Sequence, residues 1–307
     1  MTAPREGQTF AGASRWTHYI NFVKLPHTVF ALPFALVGAT LATYVAPITL
    51  GALGWIILAF TAARFSAMGF NRIVDRHVDA ANPRTAGREL PRGALALGEA
   101  IIAVTIASLL FVVAAWQLNT LCAWLSPVAL AWIFFYSYTK RFTKWSHLVL
   151  GLGLGIAPVG GYLAVAGAWS DPWWLLIALT VAVMTWVGGF DILYSLQDID
   201  FDRRHGLFSV PAALGVPRAI AVARVMHVIT VVALIAAGLR GPVGLFYGIG
   251  VALVAMLLAF EHRLVKAHDL SRLDAAFFTM NGVISITLFV FVLIDRLVHG
   301  RAIPFAS

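Results

Sequence analysis

The chain has 307 residues, of which 60% are hydrophobic and only 12% are charged, and its mean hydropathy is +0.85. Soluble domains carry about 25% charged residues, so this composition excludes a soluble protein and indicates one embedded in a membrane. The only cysteine, Cys122, excludes a disulfide framework and a thiolate metal site. The formal net charge of +8 comes from basic residues between apolar runs rather than from a basic domain, which argues against nucleic-acid binding.

Nine apolar runs are each long enough to cross a bilayer, which takes about 20 residues of helix. They predict an all-α integral membrane protein with nine transmembrane helices in one bundle. We expect this bundle to enclose a central apolar cavity that opens near the cytoplasmic side. The predicted spans are residues 25–45, 50–70, 94–115, 118–138, 147–168, 173–194, 216–238, 241–260 and 275–298.

Residues 1–20 are polar and rich in glycine and alanine, so they predict a short cytoplasmic tail without a signal peptide. Residues 21–307 contain no hydrophilic segment of domain size, and we expect a single nine-helix domain. With a cytoplasmic N-terminus, nineteen Lys and Arg residues lie inside, and only Arg240, Arg296 and Arg301 lie outside. The positive-inside rule therefore predicts a multi-pass protein of the inner (cytoplasmic) membrane with its C-terminus outside.

Two basic side chains accompany the first two predicted spans. Lys24 stands at the inner end of the first span, where it would either snorkel to the headgroups or reach an anionic substrate. Arg64 falls within the second span, where an arginine is costly unless it faces a cavity or a partner. Arg64 is therefore a candidate binding residue, with a structural ion pair as the alternative.

The first acidic stretch follows the second span. Asn71, Asp75 and Asp79 are four residues apart, so a helix that continues through them places an amide and two carboxylates on one face. A long basic loop comes next, in which Arg84 and Arg88 are candidates for binding an anion.

Basic and small residues mark the middle of the chain. The fourth span ends in an aromatic belt followed by Lys140 and Arg141, which are either interfacial anchors or phosphate-binding residues. The fifth span is rich in glycine, which predicts close packing of neighbouring helices.

The second acidic stretch follows the sixth span. On a regular helix, Asp191, Asp198 and Asp202 share one face, and Tyr194 lies one turn before Asp198. Asp200 lies about 200° from Asp198 around such a helix. We therefore expect Asp200 to point away from the shared face and not to bind a ligand.

Carboxylates gathered at the edge of an apolar body require compensating positive charge. Oxygen ligands without interleaved His or Cys favour Mg²⁺, which is held by one or two carboxylates together with water and substrate phosphates. A diphosphate at the mouth of an apolar membrane cavity suits a polyprenyl diphosphate, and the ring of Tyr194 could shield the allylic cation left when that diphosphate departs. The carboxylates concerned are Asp75, Asp79, Asp198 and Asp202.

Together, these motifs resemble the UbiA superfamily of intramembrane aromatic prenyltransferases over nearly the whole chain. The resemblance implies a nine-helix bundle that uses Mg²⁺ to transfer a prenyl group to an aromatic acceptor in quinone biosynthesis. The matching residues are Asn71, Asp75, Asp79, Arg84, Thr85, Ala86, Arg88, Leu90, Pro91, Gly93, Lys140, Arg141, Asp191, Tyr194, Asp198, Asp202, Gly206 and Ser209.

The resemblance also implies roles for several of these positions and for Arg64. Asp191 would orient the arene or accept its proton, close to Tyr194 and the reacting carbons. Asn71 would support the metal site. The side chains expected to hold magnesium diphosphate are Asp75, Asp79, Asp198 and Asp202. The side chains expected to bind diphosphate or the carboxylate of the acceptor are Arg64, Lys140 and Arg141.

Arg72 departs from the pattern of many 4-hydroxybenzoate enzymes, which have Asp directly after the first Asn. The sequence is closer to a branch that includes prenyltransferases of the futalosine route to menaquinone, which act on a dihydroxynaphthoate. The resemblance therefore leaves two acceptors, 4-hydroxybenzoate and 1,4-dihydroxy-6-naphthoate, in ubiquinone or menaquinone biosynthesis.

Two other functions fit parts of the pattern. A transporter would use the acidic side chains for ion or proton coupling, although transporter sites tend to lie near the membrane midplane on broken helices. The same scaffold could instead prenylate haem, chlorophyll or a lipid. The expected partners are a polyprenyl diphosphate, an aromatic acid and the lipid bilayer, without nucleic acid.

Overall fold

The protein is described by a computed structural model over residues 14–24, 28–239, 241–265 and 280–299. Within these ranges it contains helices and no strands. In chain order, the α-helices are α1 (Arg15–Phe22), α2 (Thr28–Ala42), α3 (Leu50–Ala81), α4 (Leu97–Leu118), α5 (Thr120–Thr139), α6 (Ser146–Ala166), α7 (Trp174–Ser195), α8 (Ile199–Arg204), α9 (Val210–Leu214), α10 (Val216–Gly238), α11 (Leu245–Leu264) and α12 (Asn281–His299).

Eight helices among the described residues are long and apolar enough to cross a membrane. They are α3 to α6, α7 together with α8, and α10 to α12, and they confirm an all-helical integral membrane protein. The predicted first span, 25–45, corresponds to α2, which has 15 residues and is shorter than the roughly 20 needed to span. Nine spans therefore remain a prediction. Residues 25–27 and 275–279 of the predicted spans lie outside the described residues.

Helix α1 stands at the boundary between the predicted tail and the bundle. It begins after Ser14, whose hydroxyl accepts a hydrogen bond from the Thr17 amide at 3.2 Å, as an N-cap does. Arg15 pairs with Glu99 in the first turn of α4. Residues 15–20 of the predicted tail are thus helical, and residues 1–13 lie outside the described residues.

Helix α7 is the most buried of the candidate spans. It packs against both α6 and α10. Helices α3, α4 and α5 pack on one another, and α5 contacts α6. Helix α2 contacts α6 and α12, and α12 contacts α11. The carboxyl ends of α3 and α7, which carry the two acidic stretches, therefore belong to one helical bundle.

The glycines of α6 allow its backbone to touch two neighbours. A β-carbon on Gly151 would collide with the carbonyl of Met184 in α7, and one on Gly161 would collide with the carbonyl of Ala35 in α2. Larger side chains at these two positions would force the helices apart. The predicted close packing of this glycine-rich span is confirmed.

Helix α3 continues through the first acidic stretch. Its 32 residues extend about 48 Å, which exceeds the roughly 30 Å hydrocarbon core of a bilayer. It ends at Ala81 because Asn82 precedes Pro83, and a residue before proline is pushed out of the helical region; Asn82 has φ −88° and ψ 116°. The predicted helical face of the first acidic stretch is confirmed.

The second acidic stretch is not one regular helix. Helix α7 ends at Ser195, a 3₁₀ turn spans Leu196–Asp198, and α8 follows. The Ser195 hydroxyl donates to the Ile192 carbonyl at 2.9 Å, a local bond that competes with the helical pattern, and a 3₁₀ turn has only three residues per turn. The expectation that the second set of carboxylates shares a face of a regular helix is therefore wrong.

An apolar groove of about 600 Å³ lies between α7 and α10, with Trp174, Val181 and Leu239 in its lining. Trp174 is the first residue of α7, so this groove is remote from the acidic end of that helix. It is not the predicted central cavity. A cavity that opens near the cytoplasmic side remains a prediction.

Candidate active site

The two acidic stretches meet through the turn that follows α3. In the Arg84 guanidinium, Nε lies 3.0 Å from Asp198 Oδ1 and Nη2 lies 2.6 Å from Asp198 Oδ2. The side-chain amide of Asn82 also donates to Asp198 Oδ1, at 3.1 Å. Stretches that are more than a hundred residues apart in sequence are therefore in direct contact.

The turn itself is held by local side-chain hydrogen bonds. Asn82 Oδ1 accepts from the Arg84 amide at 3.0 Å, an arrangement that asparagine commonly makes in turns. The Thr85 hydroxyl donates to the carbonyl of Asp79 at 3.0 Å. Asn82 is not among the residues that the sequence motifs single out, although an Asn-Pro pair is a turn signal that could have found it.

Asp75 receives three donors, one from α3 and two from the residues directly after α5, and is only 2% exposed. Lys140 Nζ lies 2.6 Å from Oδ2, and Arg141 Nη2 lies 2.9 Å from Oδ1. Asn71 Nδ2 donates to Oδ2 at 3.1 Å from one turn earlier in α3. The predicted first acidic face and the basic pair after α5 thus form one cluster.

Asp79 is satisfied on one side only. Arg88 Nη1 lies 2.8 Å from Asp79 Oδ1, whereas Oδ2 is buried and has no hydrogen-bond partner among the described residues. A buried carboxylate oxygen without a partner is costly. This oxygen is therefore suited to receive a cation or a donor from a ligand.

Asp202 completes the set of four carboxylates. The Ser209 hydroxyl donates to Asp202 Oδ2 at 2.8 Å, and Ser209 also caps α9 by accepting from the Ala212 amide. Asp198 and Lys140 both lie within electrostatic range of Asp202. Because Lys140 is bonded to the first acidic stretch, it links the two.

Asp191 and Tyr194 lie on the same side of the bundle but have different partners. Asp191 Oδ2 lies 2.7 Å from Nδ1 of His147, in the first turn of α6. The Tyr194 hydroxyl accepts from Arg84 Nη1 at 3.2 Å, and the guanidinium carbon lies 5.3 Å from the ring centroid. Arg84 therefore joins Tyr194 to Asp198.

Two of the predicted binding residues lie away from these ion pairs. Arg64 is half-buried in α3, and its Nε is shielded from solvent without a hydrogen-bond partner among the described residues. Lys24 follows α1, is half-buried and has a left-handed backbone with φ 46°.

Other residues join the site without a signal in the sequence motifs. Tyr136, one turn before Lys140 in α5, lies within electrostatic range of both Asp191 and Asp75. His147 is a lone histidine in a glycine-rich span, and its contact with Asp191 has no counterpart in local spacing. Such long-range contacts become visible only in the fold.

Arg72 and Asp200 lie outside the cluster. Arg72 stands where many 4-hydroxybenzoate enzymes have Asp. It is buried and lies 3.8 Å from the carboxylate of Glu89 in the basic loop. It therefore ties α3 to that loop. Asp200 is exposed, which agrees with the expectation that it points away from the site.

The donor set suits a hard cation that is completed by a ligand. In the part of the chain that the structure describes, no three or more His, Cys, Asp or Glu side chains are grouped to hold a metal ion by themselves. Mg²⁺ commonly takes only one or two carboxylates and fills its shell with water and substrate phosphates. The carboxylates, with the free Oδ2 of Asp79, fit that mode of binding.

The fold and the site define a class of protein: an intramembrane helical bundle that gathers carboxylates and basic side chains at one end of its apolar helices. The sequence model of the UbiA prenyltransferase family matches residues 31–283 of this chain. The chain belongs to this family and is a UbiA-type aromatic prenyltransferase, as the sequence motifs predict.

Named relatives and solved structures agree with this assignment. The chain is 30% identical over 251 residues to a 4-hydroxybenzoate octaprenyltransferase of Xanthomonas euvesicatoria pv. vesicatoria, covering 80% of this chain and 81% of the relative. An apo UbiA homologue of Aeropyrum pernix K1 has 36% identity and a TM-score of 0.80, covering 88% of this chain and 98% of that one. A UbiA homologue of Archaeoglobus fulgidus bound to DMAPP and Mg²⁺ has 18% identity and a TM-score of 0.72, covering 92% and 99%, and it supports the fold.

Proposed function

We propose that this protein transfers a polyprenyl group from a polyprenyl diphosphate to a hydroxylated aromatic carboxylate, forming a carbon–carbon bond, in ubiquinone or menaquinone biosynthesis. The proposed acceptors are 4-hydroxybenzoate and 1,4-dihydroxy-6-naphthoate. The observation that carries this proposal is the contact of Arg84 with Asp198, which joins the basic loop to the acidic end of an apolar bundle. The relatives named 4-hydroxybenzoate octaprenyltransferase support the reaction class.

Four cations are proposed to bind the diphosphate: Arg84, Arg88, Lys140 and Arg141. Each lies within 2.9 Å of a carboxylate, so each is within reach of an anion that enters the cluster. These four charges balance the four carboxylates, and a diphosphate of about −3 with about two Mg²⁺ leaves the complex close to neutral. As the carbon–oxygen bond breaks, the guanidinium and ammonium groups would stabilise the negative charge on the departing oxygen.

The proposed metal ligands are Asp75, Asp79, Asp198 and Asp202. Asn71 would hold Asp75 in place through its hydrogen bond of 3.1 Å. Oxygen donors and the unsatisfied Oδ2 of Asp79 support a hard divalent cation, and the Mg²⁺-bound homologue of Archaeoglobus fulgidus agrees with it. Bound Mg²⁺ would supply neutralisation of the diphosphate leaving group.

The acceptor is proposed to bind deeper in the bundle than the diphosphate. Arg64 is seven residues before Asn71, about 10 Å further along the axis of α3. Its shielded Nε without a partner among the described residues supports binding of the carboxylate of the acceptor there. Lys24, at the end of α1, is proposed as a further contact for an anionic group.

The reacting carbons are proposed to lie beside Asp191 and Tyr194. Asp191 is partly accessible, with 23% of its side chain exposed, and would accept a hydrogen bond from the acceptor hydroxyl or take the ring proton. The Tyr194 ring would shield the allylic cation through its face. Tyr136, which lies in electrostatic range of Asp75 and Asp191, would line the space between donor and acceptor.

The depth of the carboxylates argues against a transporter. Asp75 is 25 residues along α3 from Leu50, or about 38 Å, which exceeds the roughly 30 Å hydrocarbon core. Transporter sites tend to lie near the midplane on discontinuous helices, whereas α3 is continuous. Identification of the prenylated product would distinguish an aromatic acid from haem, chlorophyll or a lipid as the acceptor.

The cluster is proposed to face the cytoplasm in the inner membrane, with the N-terminus inside and the C-terminus outside. The basic loop that holds Arg84 and Arg88 would then obey the positive-inside rule. We further propose a single domain over residues 21–307 that is preceded by a tail of residues 1–20.

The test is an assay of membranes that contain the protein, supplied with Mg²⁺, a polyprenyl diphosphate, and 4-hydroxybenzoate or 1,4-dihydroxy-6-naphthoate in parallel. Mass spectrometry would detect the prenylated acceptor. We expect one acceptor to be converted, and EDTA, Asp75→Ala or Asp198→Ala to abolish the product.

The matched control is Asp200→Ala, which removes an exposed carboxylate two residues from Asp198 and should retain full turnover. Turnover that persists in EDTA, or equal turnover by the Asp198 and Asp200 variants, would overturn the proposed function. Conversion of neither aromatic acid together with prenylation of a lipid or porphyrin would replace the acceptor class.

A further inference from the structure

The buried side chain of His147 contacts the carboxylate of Asp191, which is proposed to lie beside the acceptor. His147 is 3% exposed and is the second residue of α6. Its Nδ1 lies 2.7 Å from Asp191 Oδ2, and no other hydrogen bond to Asp191 is present among the described residues. Asp191 Oδ1 is therefore left for a ligand.

The second nitrogen of the ring fixes which tautomer is present. The backbone amide of Val210, at the start of α9, lies 3.3 Å from His147 Nε2, and an amide N–H can only donate. Nε2 must accept, so the proton of the neutral ring sits on Nδ1 and is donated to Asp191. A neutral ring leaves the negative charge on the carboxylate.

The same ring ties the acceptor side to the diphosphate side. Val210 follows Ser209, whose hydroxyl is bonded to Asp202 at 2.8 Å. Two consecutive residues of the backbone therefore hold His147 and one of the proposed metal ligands. A shift of this segment would move both Asp191 and Asp202.

We propose that His147 is a positioning residue, which holds Asp191 in a single orientation and presents its free oxygen to the aromatic acceptor. This inference rests on the proposed prenyl transfer. An aspartate without this bond can rotate about two torsions and lose the geometry that a reacting group needs, and such misplacement reduces the rate of the chemical step rather than the affinity for a substrate elsewhere in the site.

Two variants separate the two bonds of the ring. The amide nitrogen of asparagine occupies nearly the place of Nδ1, so His147→Asn keeps a donor for Asp191 and loses the acceptor for Val210. The amide of glutamine instead reaches the place of Nε2, so His147→Gln keeps the contact with Val210 and loses the donor. His147→Leu removes both.

Steady-state kinetics on each variant would use the acceptor that the wild-type protein converts, with rates expressed per folded protein. A hydrogen bond to a charged group is worth about 10- to 100-fold, so we expect His147→Gln and His147→Leu to lower kcat by about that factor. The KM for the polyprenyl diphosphate should stay unchanged in His147→Gln, which keeps the contact with Val210. His147→Asn should recover most of kcat. If His147→Leu does not fold, the comparison of kcat between His147→Asn and His147→Gln still tests the role of the bond to Asp191.

The matched control is His227→Asn. His227 is equally buried at 3% but bonds the Trp186 carbonyl and His262, so its substitution should leave kcat per folded protein unchanged. Equal kcat in the Asn and Gln variants of His147, or a change confined to the KM of the diphosphate, would overturn the inference while the proposed function stands. A wild-type protein that prenylates no acceptor would overturn both.

Discussion

Arg84 and Asp198 form a two-bond ion pair between the turn after α3 and the 3₁₀ turn after α7, with N–O distances of 3.0 and 2.6 Å. Neither side chain is freely exposed, at 14% and 16%. The planar guanidinium matches the carboxylate in a fork-to-fork arrangement, which is stronger and more directional than a single charged contact. The pair therefore sets how the two acidic stretches face each other.

Replacement of this arginine by lysine should weaken binding of the prenyl donor. Arg84→Lys keeps the charge but cannot make two parallel bonds or contact the Tyr194 ring in the same way. We expect the KM for the polyprenyl diphosphate to rise by about 10-fold or more, as measured by initial rates in membranes. Arg203→Lys is the control, because Arg203 bonds only the Ala212 carbonyl among the described contacts; equal KM values in the two variants would contradict the prediction.

Removal of the charge at Arg64 should affect the acceptor and not the donor. Arg64→Gln is expected to raise the KM for the aromatic acid by about 10- to 100-fold, the worth of a hydrogen bond to a charged group, with the KM for the diphosphate unchanged. The decisive comparison uses the corresponding phenol without a carboxylate. Wild type and variant should then have similar KM values, and a persisting difference would show that Arg64 binds something else.

The acidic stretches are predictable from the sequence because hydrophobic runs and carboxylate spacing are local signals. The shared face of Asn71, Asp75 and Asp79 is predicted correctly, since α3 is regular. The prediction for the second stretch is wrong, because hydrophobic periodicity does not reveal the 3₁₀ turn that follows Ser195 or the hydrogen bond of Ser195 to the Ile192 carbonyl.

Contacts between segments that are distant in sequence cannot be predicted from local sequence patterns. The bond between His147 and Asp191 joins α6 to α7, and the burial of Arg72 against Glu89 joins α3 to the basic loop. Both depend on how helices pack, which single-sequence periodicity does not encode. The resemblance predicted which residues matter but not these supporting partners.

Loss of the carboxylate of Glu89 should destabilise the protein. Arg72 and Glu89 are buried at 4% and 5% side-chain exposure, and Glu89 also lies 3.7 Å from Arg92. Removing one partner of a buried ion pair costs about 3–5 kcal/mol. Glu89→Gln should therefore lower the thermal unfolding temperature in detergent. Glu99→Gln is the control, since Glu99 pairs with the exposed Arg15 and exposed pairs contribute about 0–1 kcal/mol. Similar unfolding temperatures for the two variants would contradict a structural role for the buried pair.

Glycine-to-alanine substitutions in α6 should destabilise the protein only where the glycine lies against the backbone of a neighbouring helix. Gly151→Ala places a β-carbon against the Met184 carbonyl, which belongs to rigid backbone, whereas Gly160→Ala meets nothing within 4 Å. Overpacking costs about 1–3 kcal/mol, and alanine is otherwise about 1 kcal/mol better than glycine inside a helix. We therefore expect Gly151→Ala to lower the thermal unfolding temperature in detergent and Gly160→Ala to leave it unchanged or raise it. Because α7 carries Asp191 at its far end, the first variant should also reduce prenyl transfer per folded protein. Equal unfolding temperatures for the two variants would show that the backbones of α6 and α7 are not in contact at Gly151. They would also contradict the packing of α6 on α7 that holds His147 against Asp191.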